Sequence, residues 1–337
     1  VGATVIAMGL ISLPIMLSRN YDQSLATGTI CATGTLGQII PPSIALVILG
    51  DVLSASYQQS QLSLGNFSAR TVSVGDLFMG AIVPGLILVF CYAAYVAIRA
   101  YISPHMAPAQ EVKIVKNRWK ILITTLLPPF VLITSVLGSI LLGIATPTEA
   151  AAVGAFGGLI LALSKSSLTW KNLKEAVETT TEITAMVFMI LLGSSIFSLV
   201  FRGFGGDDLI TSIFTQLPGG VFGAVLVVMI IIFLLGFILD FIQITLVVVP
   251  IVGPALLMLG IDPIWLGIMI AINLQTSFLT PPFGFALFYL RGVAPDTLPT
   301  QAIYRGVIPF ILIQIALLIT LAIFPELVTA LPNAVYG

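Results

Sequence analysis

Uncharged, oxygen-bearing side chains are concentrated in two short segments of an otherwise apolar chain. The first segment is GTLGQIIPPS, residues 34–43, and the second is NLQTSFLTPPFG, residues 273–284. Hard cations take oxygen ligands such as hydroxyl, amide and carbonyl groups, so both segments are candidate cation-binding sites. The candidate residues are Thr33, Gly34, Thr35, Gly37, Pro41, Pro42 and Ser43 in or beside the first segment, and Asn273, Gln275, Thr276, Ser277, Thr280, Pro281 and Pro282 in the second.

A proline pair in each segment is expected to break a helix. Proline has no N–H donor and its ring obstructs an upstream carbonyl, so the apolar stretches 24–52 and 262–290 should each be interrupted. Backbone groups left unpaired at membrane depth must line a cavity or bind a ligand. The half-helix ends at a break offer a negative end to a cation and a positive end to an anion. Two simpler explanations stay open: a proline kink held by packing, and hydrogen bonding between helices.

The composition excludes a water-soluble fold. Hydrophobic residues make up 58% of the 337 residues and charged residues 8%, whereas soluble domains average about 45–50% and about 25%. Stretch 219–239 is apolar on every face, which excludes an outer-membrane barrel because the strands of a barrel alternate. The balance of 13 basic and 14 acidic residues leaves no basic surface for nucleic acid. We therefore predict an all-α polytopic membrane protein.

Apolar runs long enough to cross a bilayer recur along the chain. Basic residues cluster near 99–120 and 165–174, and they mark these stretches as cytoplasmic. Stretch 24–52 then runs outward and stretch 262–290 runs inward. The predicted segments are 1–17, 24–52, 75–102, 119–145, 147–164, 180–201, 219–239, 241–258, 262–290 and 306–328.

The two broken stretches match each other at a fixed separation of 240 residues. Sliding residues 1–52 onto 241–292 superposes seven identical residues, among them the prolines of both breaks. A weak repeat of opposite predicted topology, broken at the same point of each half, indicates a secondary transporter with its site at the repeat interface. The identical pairs are Ile11 and Ile251, Pro14 and Pro254, Leu17 and Leu257, Asp22 and Asp262, Ile30 and Ile270, Pro41 and Pro281, and Pro42 and Pro282.

Asp240 separates two apolar runs, 219–239 and 241–258, that have no polar loop between them. We predict a re-entrant hairpin with Asp240 near its tip, where an ionisable group is a functional hypothesis by default. The alternative is a simple cap at the membrane interface. The matching tip of the first repeat falls just before Val1. The chain is therefore expected to lack the first arm of its first hairpin and the part before it.

Other motifs favour structural interpretations. Thr146, Pro147 and Glu149 form a predicted capping box with proline at the first helical position. Residues 168–183 are typical of an interfacial helix lying on the bilayer surface. The only histidine is His105, in a predicted loop, and the sequence has no GxxxxGKS/T phosphate loop. Histidine-dependent catalysis and an ATP-driven motor are therefore not expected.

Four motifs together resemble the DctM-like large membrane subunit of the tripartite ATP-independent periplasmic (TRAP) transporters. They are GTLGQIIPPS, GDLFMGAIVPG at 75–85, LGSILLGIATPTEAAAVGA at 137–155, and NLQTSFLTPPFGFALF at 273–288. The resemblance implies an elevator-type member of the ion transporter superfamily that imports an organic acid together with sodium. It also implies two partners in the bacterial inner membrane and periplasm: a small four-helix membrane subunit and a substrate-binding protein.

The resemblance implies roles for particular parts of the chain, with sodium ions for coupling and no further cofactor. The sodium ions are expected near Thr33, Gly34 and Gly37 in one half, and near Asp240, Asn273 and Thr276 in the other. The implied parts are a first-repeat transport part at 1–52, a periplasmic loop at 53–74, scaffold helices at 75–145, the start of the second repeat with its interfacial helix at 146–218, the second hairpin and broken helix at 219–292, and a C-terminal scaffold helix at 293–337.

Two other functions stay open at this point. A stand-alone sodium–carboxylate carrier with the same inverted repeats would need no binding protein. An ion-conducting membrane subunit of a sodium-pumping complex would use the two breaks to line a conduction path.

Overall fold

The computed structural model describes residues 1–67, 71–109 and 118–336, and the secondary structure of this part is helical throughout. Three basic residues lie outside the described residues: Arg70, in the predicted periplasmic loop 53–74, and Lys113 and Lys116, in the basic cluster near 99–120. Fifteen α-helices follow one another within the described ranges: α1 Gly2–Ser18, α2 Gln23–Thr35, α3 Ile44–Ser63, α4 Val74–Ile102, α5 Arg118–Leu141, α6 Pro147–Ser164, α7 Trp170–Gly203, α8 Gly206–Gln216, α9 Gly220–Leu235, α10 Phe241–Gln243, α11 Val249–Met258, α12 Pro263–Leu279, α13 Phe285–Val293, α14 Thr300–Ile323 and α15 Glu326–Tyr336.

The chain divides into two compact units. The larger unit consists of Val1–Gln110 and Phe201–Gly337, and it contains both broken helices. The smaller unit is Glu111–Val200, in which α5 packs against α6. Helices α4 and α14 therefore belong to the same unit as the two breaks.

Several helices are long and apolar enough to cross a membrane. Six single helices in the described part meet this criterion, and α8 and α9 together form a seventh candidate that is bent by 120°. The prediction of an all-α polytopic membrane protein is confirmed. The single helices are Val74–Ile102, Trp119–Leu141, Pro147–Ser164, Trp170–Gly203, Phe241–Met258 and Thr300–Ile323.

Helix α7 differs from the sequence-based prediction. A surface helix at 168–183 followed by a separate span at 180–201 was expected, but Trp170–Gly203 is one continuous helix of 34 residues. It contains no proline and no internal glycine before Gly193, so nothing in its sequence ends the helix between the charged and apolar portions. The predicted boundary between a surface helix and a separate span is wrong, and the placement of residues 168–183 on the bilayer surface stays a prediction.

Local capping supports the internal repeat. Asp22 caps α2 by accepting from the N–H of Leu25 at 2.9 Å, and Asp262 caps α12 by accepting from the N–H of Trp265 at 2.8 Å. Both the aspartates and the two N–H groups are 240 residues apart. The packing is reciprocal, because α1 contacts α13 while its counterpart α11 contacts α3. A two-fold relation between the halves requires this exchange.

Helices α2 and α14 cross with their backbones almost in contact. A Cβ atom at Gly28 would lie 2.0 Å from the carbonyl oxygen of Gly306, and one at Gly306 would lie 2.1 Å from the carbonyl oxygen of Ser24. Only glycine permits such an approach. The first broken helix is therefore packed directly onto α14.

Candidate functional site

The two predicted breaks occur at the proline pairs. Helix α2 ends at Thr35, a short 3₁₀ turn follows at Leu36–Gln38, and α3 begins at Ile44. Helix α12 ends at Leu279, and α13 begins at Phe285. The Pro41–Pro42 and Pro281–Pro282 peptide bonds are both cis. The larger unit thus contains two interrupted helices with the same local design.

The hydroxyl groups of the first break bond within their own segment. Thr33 Oγ1 donates to the carbonyl of Thr29 at 2.7 Å, and Thr35 Oγ1 donates to the carbonyl of Ala32 at 2.8 Å. Ser43 Oγ donates to the carbonyl of Gln38 at 2.6 Å. A hydroxyl whose proton is engaged in this way presents its oxygen lone pairs to the surroundings. This arrangement suits a cation or a donor better than an acceptor.

Gly34 allows the first break to lie close to the start of α1, and Gly37 does not contribute to this approach. A Cβ atom at Gly34 would lie 2.4 Å from Cγ2 of Val5, whereas one at Gly37 would meet only Thr4 Oγ1, at 3.9 Å. Pro41 is buried and Pro42 is exposed. The first break is therefore packed on the side of Gly34 and open on the side of Gly37.

Side chains of the second break reach to another helix. Asn273 Nδ2 donates to the carbonyl of Met229 at 2.7 Å, and Ser277 Oγ donates to the carbonyl of Phe233 at 2.7 Å. Residues four apart lie on one face of a helix, so these two bonds attach α12 to the first arm of the hairpin, α9.

Two further hydroxyls of the second break bond locally. Thr276 Oγ1 donates to the carbonyl of Ile272 at 2.8 Å, and Thr280 Oγ1 donates to the carbonyl of Thr276 at 2.7 Å. Both residues keep their lone pairs, as the hydroxyls of the first break do. They are therefore the two members of the second segment best suited to hold a cation by a hydroxyl oxygen.

A side-chain hydrogen bond joins the two breaks. Gln275 Nε2 donates to Thr35 Oγ1 at 3.3 Å, and both side chains are fully buried. The amide oxygen of Gln275 has no hydrogen-bond partner among the described residues, and neither has the amide oxygen of Gln38. A buried carbonyl oxygen without a partner is costly and indicates an ion or a water molecule at that position. Each break therefore contains one buried amide oxygen that is suited to a bound cation.

The hairpin tip lies beside the second break, but Asp240 itself is exposed. The tip follows α9, and a Cβ atom at Gly236 would lie 2.6 Å from Ser277 Oγ. Asp240 precedes α10, and its N–H donates to Oε1 of Gln243 at 3.0 Å. Asp240 also lies within electrostatic range of the amino end of Val1. The tip of the hairpin and the start of α1 are therefore near one another.

Two polar residues of this region are absent from the predicted set. Gln38 is the only amide side chain of the first segment, and that distinction was the available signal. Thr245 is fully buried in the π-helical turn Ile244–Val248, and its hydroxyl has no partner among the described residues. A π-helical turn within an α-helix frequently marks a functional position. A lone threonine in the apolar run FIQITLVVVP gives only a faint sequence signal.

An apolar cavity of about 510 Å³ lies next to the second break. Helix α9 contributes Phe233 to its walls, helix α14 contributes Ile315 and Ile319, and Asn273 and Thr276 contribute the polar part. The remaining wall is almost entirely apolar. With only these two polar side chains in its wall, the cavity as a whole is unsuited to a carboxylate.

Comparison with known proteins places the chain in a family of membrane transport proteins. The family model for the DctM component of the tripartite ATP-independent periplasmic transporter matches residues 1–327. The C4-dicarboxylate TRAP transporter large permease protein DctM of Pseudomonas aeruginosa is 30% identical over 334 residues, which cover 98% of this chain and 73% of the relative. The sialic acid TRAP transporter large permease SiaM of Vibrio cholerae is 27% identical over 338 residues, covering 98% and 72%. The ectoine/5-hydroxyectoine permease UehC of Ruegeria pomeroyi is 28% identical over 339 residues, covering 99% and 73%.

These relatives are transport permeases and not enzymes. The family match spans both breaks, the hairpin and the smaller unit, so it concerns the whole described architecture. The chain therefore belongs to the DctM family, the large membrane component of the tripartite ATP-independent periplasmic transporters.

Proposed function

We propose that this chain is the large permease of a sodium-coupled system that imports an organic acid across the inner membrane of a bacterium. The observation that carries the proposal is the pair of buried amide oxygens, one on Gln38 in the first break and one on Gln275 in the second, that have no partner within the described part of the chain. Neutral oxygens of this kind suit sodium, a hard cation. The organic-acid class is supported by the C4-dicarboxylate and sialic acid permeases among the relatives.

The electrostatics of the breaks support joint binding of cation and anion. Segments 34–43 and 273–284 contain no charged residue, so a carboxylate substrate must be neutralised by bound cations and by helix ends. The C-terminal ends of α2 and α12 attract cations, and the N-terminal ends of α3 and α13 attract the anion. Helix α13 follows Gly284, which has no capping side chain. The first N–H groups of α13 are therefore more available to an anion than the first N–H groups of α3.

The proposal includes partners and a moving part. Substrate is delivered by a periplasmic binding protein, and a small four-helix membrane subunit accompanies the permease in the lipid bilayer. The moving part consists of the hairpin arms and the two broken helices, within 1–52 and 219–292, and it carries the bound ions and substrate across the membrane. The scaffold helices, within 75–145 and 293–337, provide the static part.

Reconstituted vesicles test this function. The permease, the small subunit and the binding protein are combined in proteoliposomes, and uptake of radiolabelled succinate is followed under an inward sodium gradient without ATP. We expect accumulation that saturates with succinate and stops when the binding protein is omitted. Equal uptake with potassium in place of sodium would contradict sodium coupling.

The same vesicles separate the two competing functions. Uptake that persists without the binding protein would identify a stand-alone carrier. Flux that never saturates would identify an ion-conducting subunit. Because relatives carry different names for their substrates, sialic acid and ectoine serve as further probes if succinate is not transported.

A further inference from the structure

The hydrogen bond between Gln275 and Thr35 joins equivalent positions of the two repeats. The two residues are 240 positions apart, which is the separation that relates one repeat to the other. A two-fold operation exchanges such a pair, so the midpoint between its members must lie on the axis. A displacement of this contact therefore moves residues of both repeats.

The bond engages the hydrogen-bonding groups of Thr35 and leaves one group of Gln275 open. Thr35 Oγ1 donates its proton to the carbonyl of Ala32 and accepts from Gln275 Nε2. The amide oxygen of Gln275 remains buried and without a partner among the described residues. A cation at this oxygen would draw electron density from the amide and make its N–H groups stronger donors. The bond to Thr35 would then shorten and strengthen.

We propose that the Thr35–Gln275 hydrogen bond couples cation binding at one break to cation binding at the other. The proposal rests on the proposed function, because it requires the breaks to bind sodium. A cation at the second break tightens the axial bond and draws the end of α2 toward its own binding geometry. Coupling of binding free energies is reciprocal, so a cation at the first break favours the second site equally. Thr35 and Gln275 act here as positioning residues.

A matched pair elsewhere in the larger unit provides the control. Gln314 Nε2 donates to Tyr92 Oη at 2.7 Å, Gln314 is fully buried, and its amide oxygen has no partner within the described ranges. This pair has the same chemistry but lies between α14 and α4, and its members are not related by the separation of 240. Loss of this bond should affect packing without affecting the communication between the breaks.

Direct binding of radioactive sodium to the purified permease complex tests the coupling without needing a substrate. We expect the wild type to bind sodium with a Hill coefficient above one. Thr35→Val removes the acceptor but leaves Gln275 in place, and it should lower the Hill coefficient to one and weaken half-saturation by about fivefold, at the lower end of typical coupling energies. Thr35→Ser restores the hydroxyl and should restore cooperativity. Gln314→Leu should keep the wild-type Hill coefficient.

A second variant protects the test against misfolding. If Thr35→Val does not assemble, Thr35→Cys keeps a small side chain whose sulfur is only a weak acceptor, and it leaves the amide oxygen of Gln275 in place. A Hill coefficient lowered toward one in this variant would support the proposal. An unchanged Hill coefficient in either variant would overturn it, as would non-cooperative binding by the wild type, and both results leave sodium coupling intact. A wild type that binds no sodium would overturn the proposed function together with the coupling.

Discussion

The two breaks share a backbone design but use their polar side chains differently. In the first break, Thr33 and Ser43 donate to carbonyls of their own segment. In the second, Asn273 and Ser277 donate to carbonyls of α9. The first break thus keeps its hydroxyl oxygens available, while the second break uses some of its polar side chains to hold a neighbouring helix. Sequence symmetry in a duplicated fold does not imply equal roles.

The helix crossings of the two halves differ in the same way. Gly306 brings the backbone of α14 against the carbonyl of Ser24 on α2. At the counterpart of Ser24, Ile264 on α12, the side chain faces Gly80 of α4, where a Cβ atom would lie 2.7 Å from Cγ2. The first crossing is backbone on backbone, and the second is separated by a side chain. Four predictions, two of them with a matched variant in the other half, test how far these differences reach.

Gly306→Ala should have the largest effect. Its Cβ atom would lie 2.1 Å from a backbone oxygen, which cannot rotate away, so we expect destabilisation by about 3 kcal/mol and a clear fall in melting temperature. Gly80→Ala meets the end of an isoleucine side chain and should cost only about 1 kcal/mol. Thermal melts of the purified complex compare the two. Equal melting temperatures for the two variants would show that both crossings accommodate an added methyl group equally well.

Asn273→Leu should have the next largest effect. It removes the bond to α9, and interhelical bonds in membranes contribute about 0.6 kcal/mol with a maximum near 1.7 kcal/mol; we expect about 1.5 kcal/mol because the side chain is also buried. Its counterpart 240 positions earlier is Thr33, whose hydroxyl bonds within its own helix. Thr33→Val should therefore change the melting temperature much less. If Thr33→Val lowered the melting temperature more than Asn273→Leu, the second break would not depend more on its bonds to α9 than the first break depends on its internal bonds.

Asp240→Asn tests whether the charge at the hairpin tip contributes to sodium binding in addition to the neutral oxygens of the breaks. The bond from the Asp240 N–H to Gln243 survives the change, so folding should be preserved. Loss of the negative charge near the site should raise the sodium concentration for half-maximal uptake by about tenfold, equivalent to about 1.4 kcal/mol. The measurement is uptake against sodium concentration in proteoliposomes. An unchanged sodium dependence would make Asp240 a structural cap.

Thr146→Ala should have the smallest effect, and it should be confined to stability. Thr146 accepts from the N–H of Glu149, and the Glu149 carboxylate accepts from the Thr146 N–H at 2.8 Å. Loss of the capping hydroxyl typically costs about 1 kcal/mol. Sodium dependence should stay as in the wild type, because this cap lies in the smaller unit. A changed sodium dependence would extend the functional region beyond the two breaks.

The helices and the breaks were predictable because particular residue types cause them. Proline pairs interrupt helices wherever they occur, and Thr146 with Glu149 forms the predicted capping box. The partners of Asn273 and Ser277 were not predictable, because they are backbone carbonyls of α9 that no side-chain pattern identifies. The crossing of Gly28 and Gly306 likewise depends on tertiary packing. Sequence similarity between the halves suggested the repeat, but only the structure joins Thr35 to Gln275.

The unlike residues at the axis show what a single chain permits and a pair of identical subunits does not. In a symmetric dimer, a residue at the two-fold axis meets its own copy in the other subunit. A chain that contains both halves is free of this requirement, so one side can present an amide and the other a hydroxyl. Gln275 supplies the donor and Thr35 the acceptor. The contact at the axis of this protein is therefore a hydrogen bond that runs from a donor in the second half to an acceptor in the first.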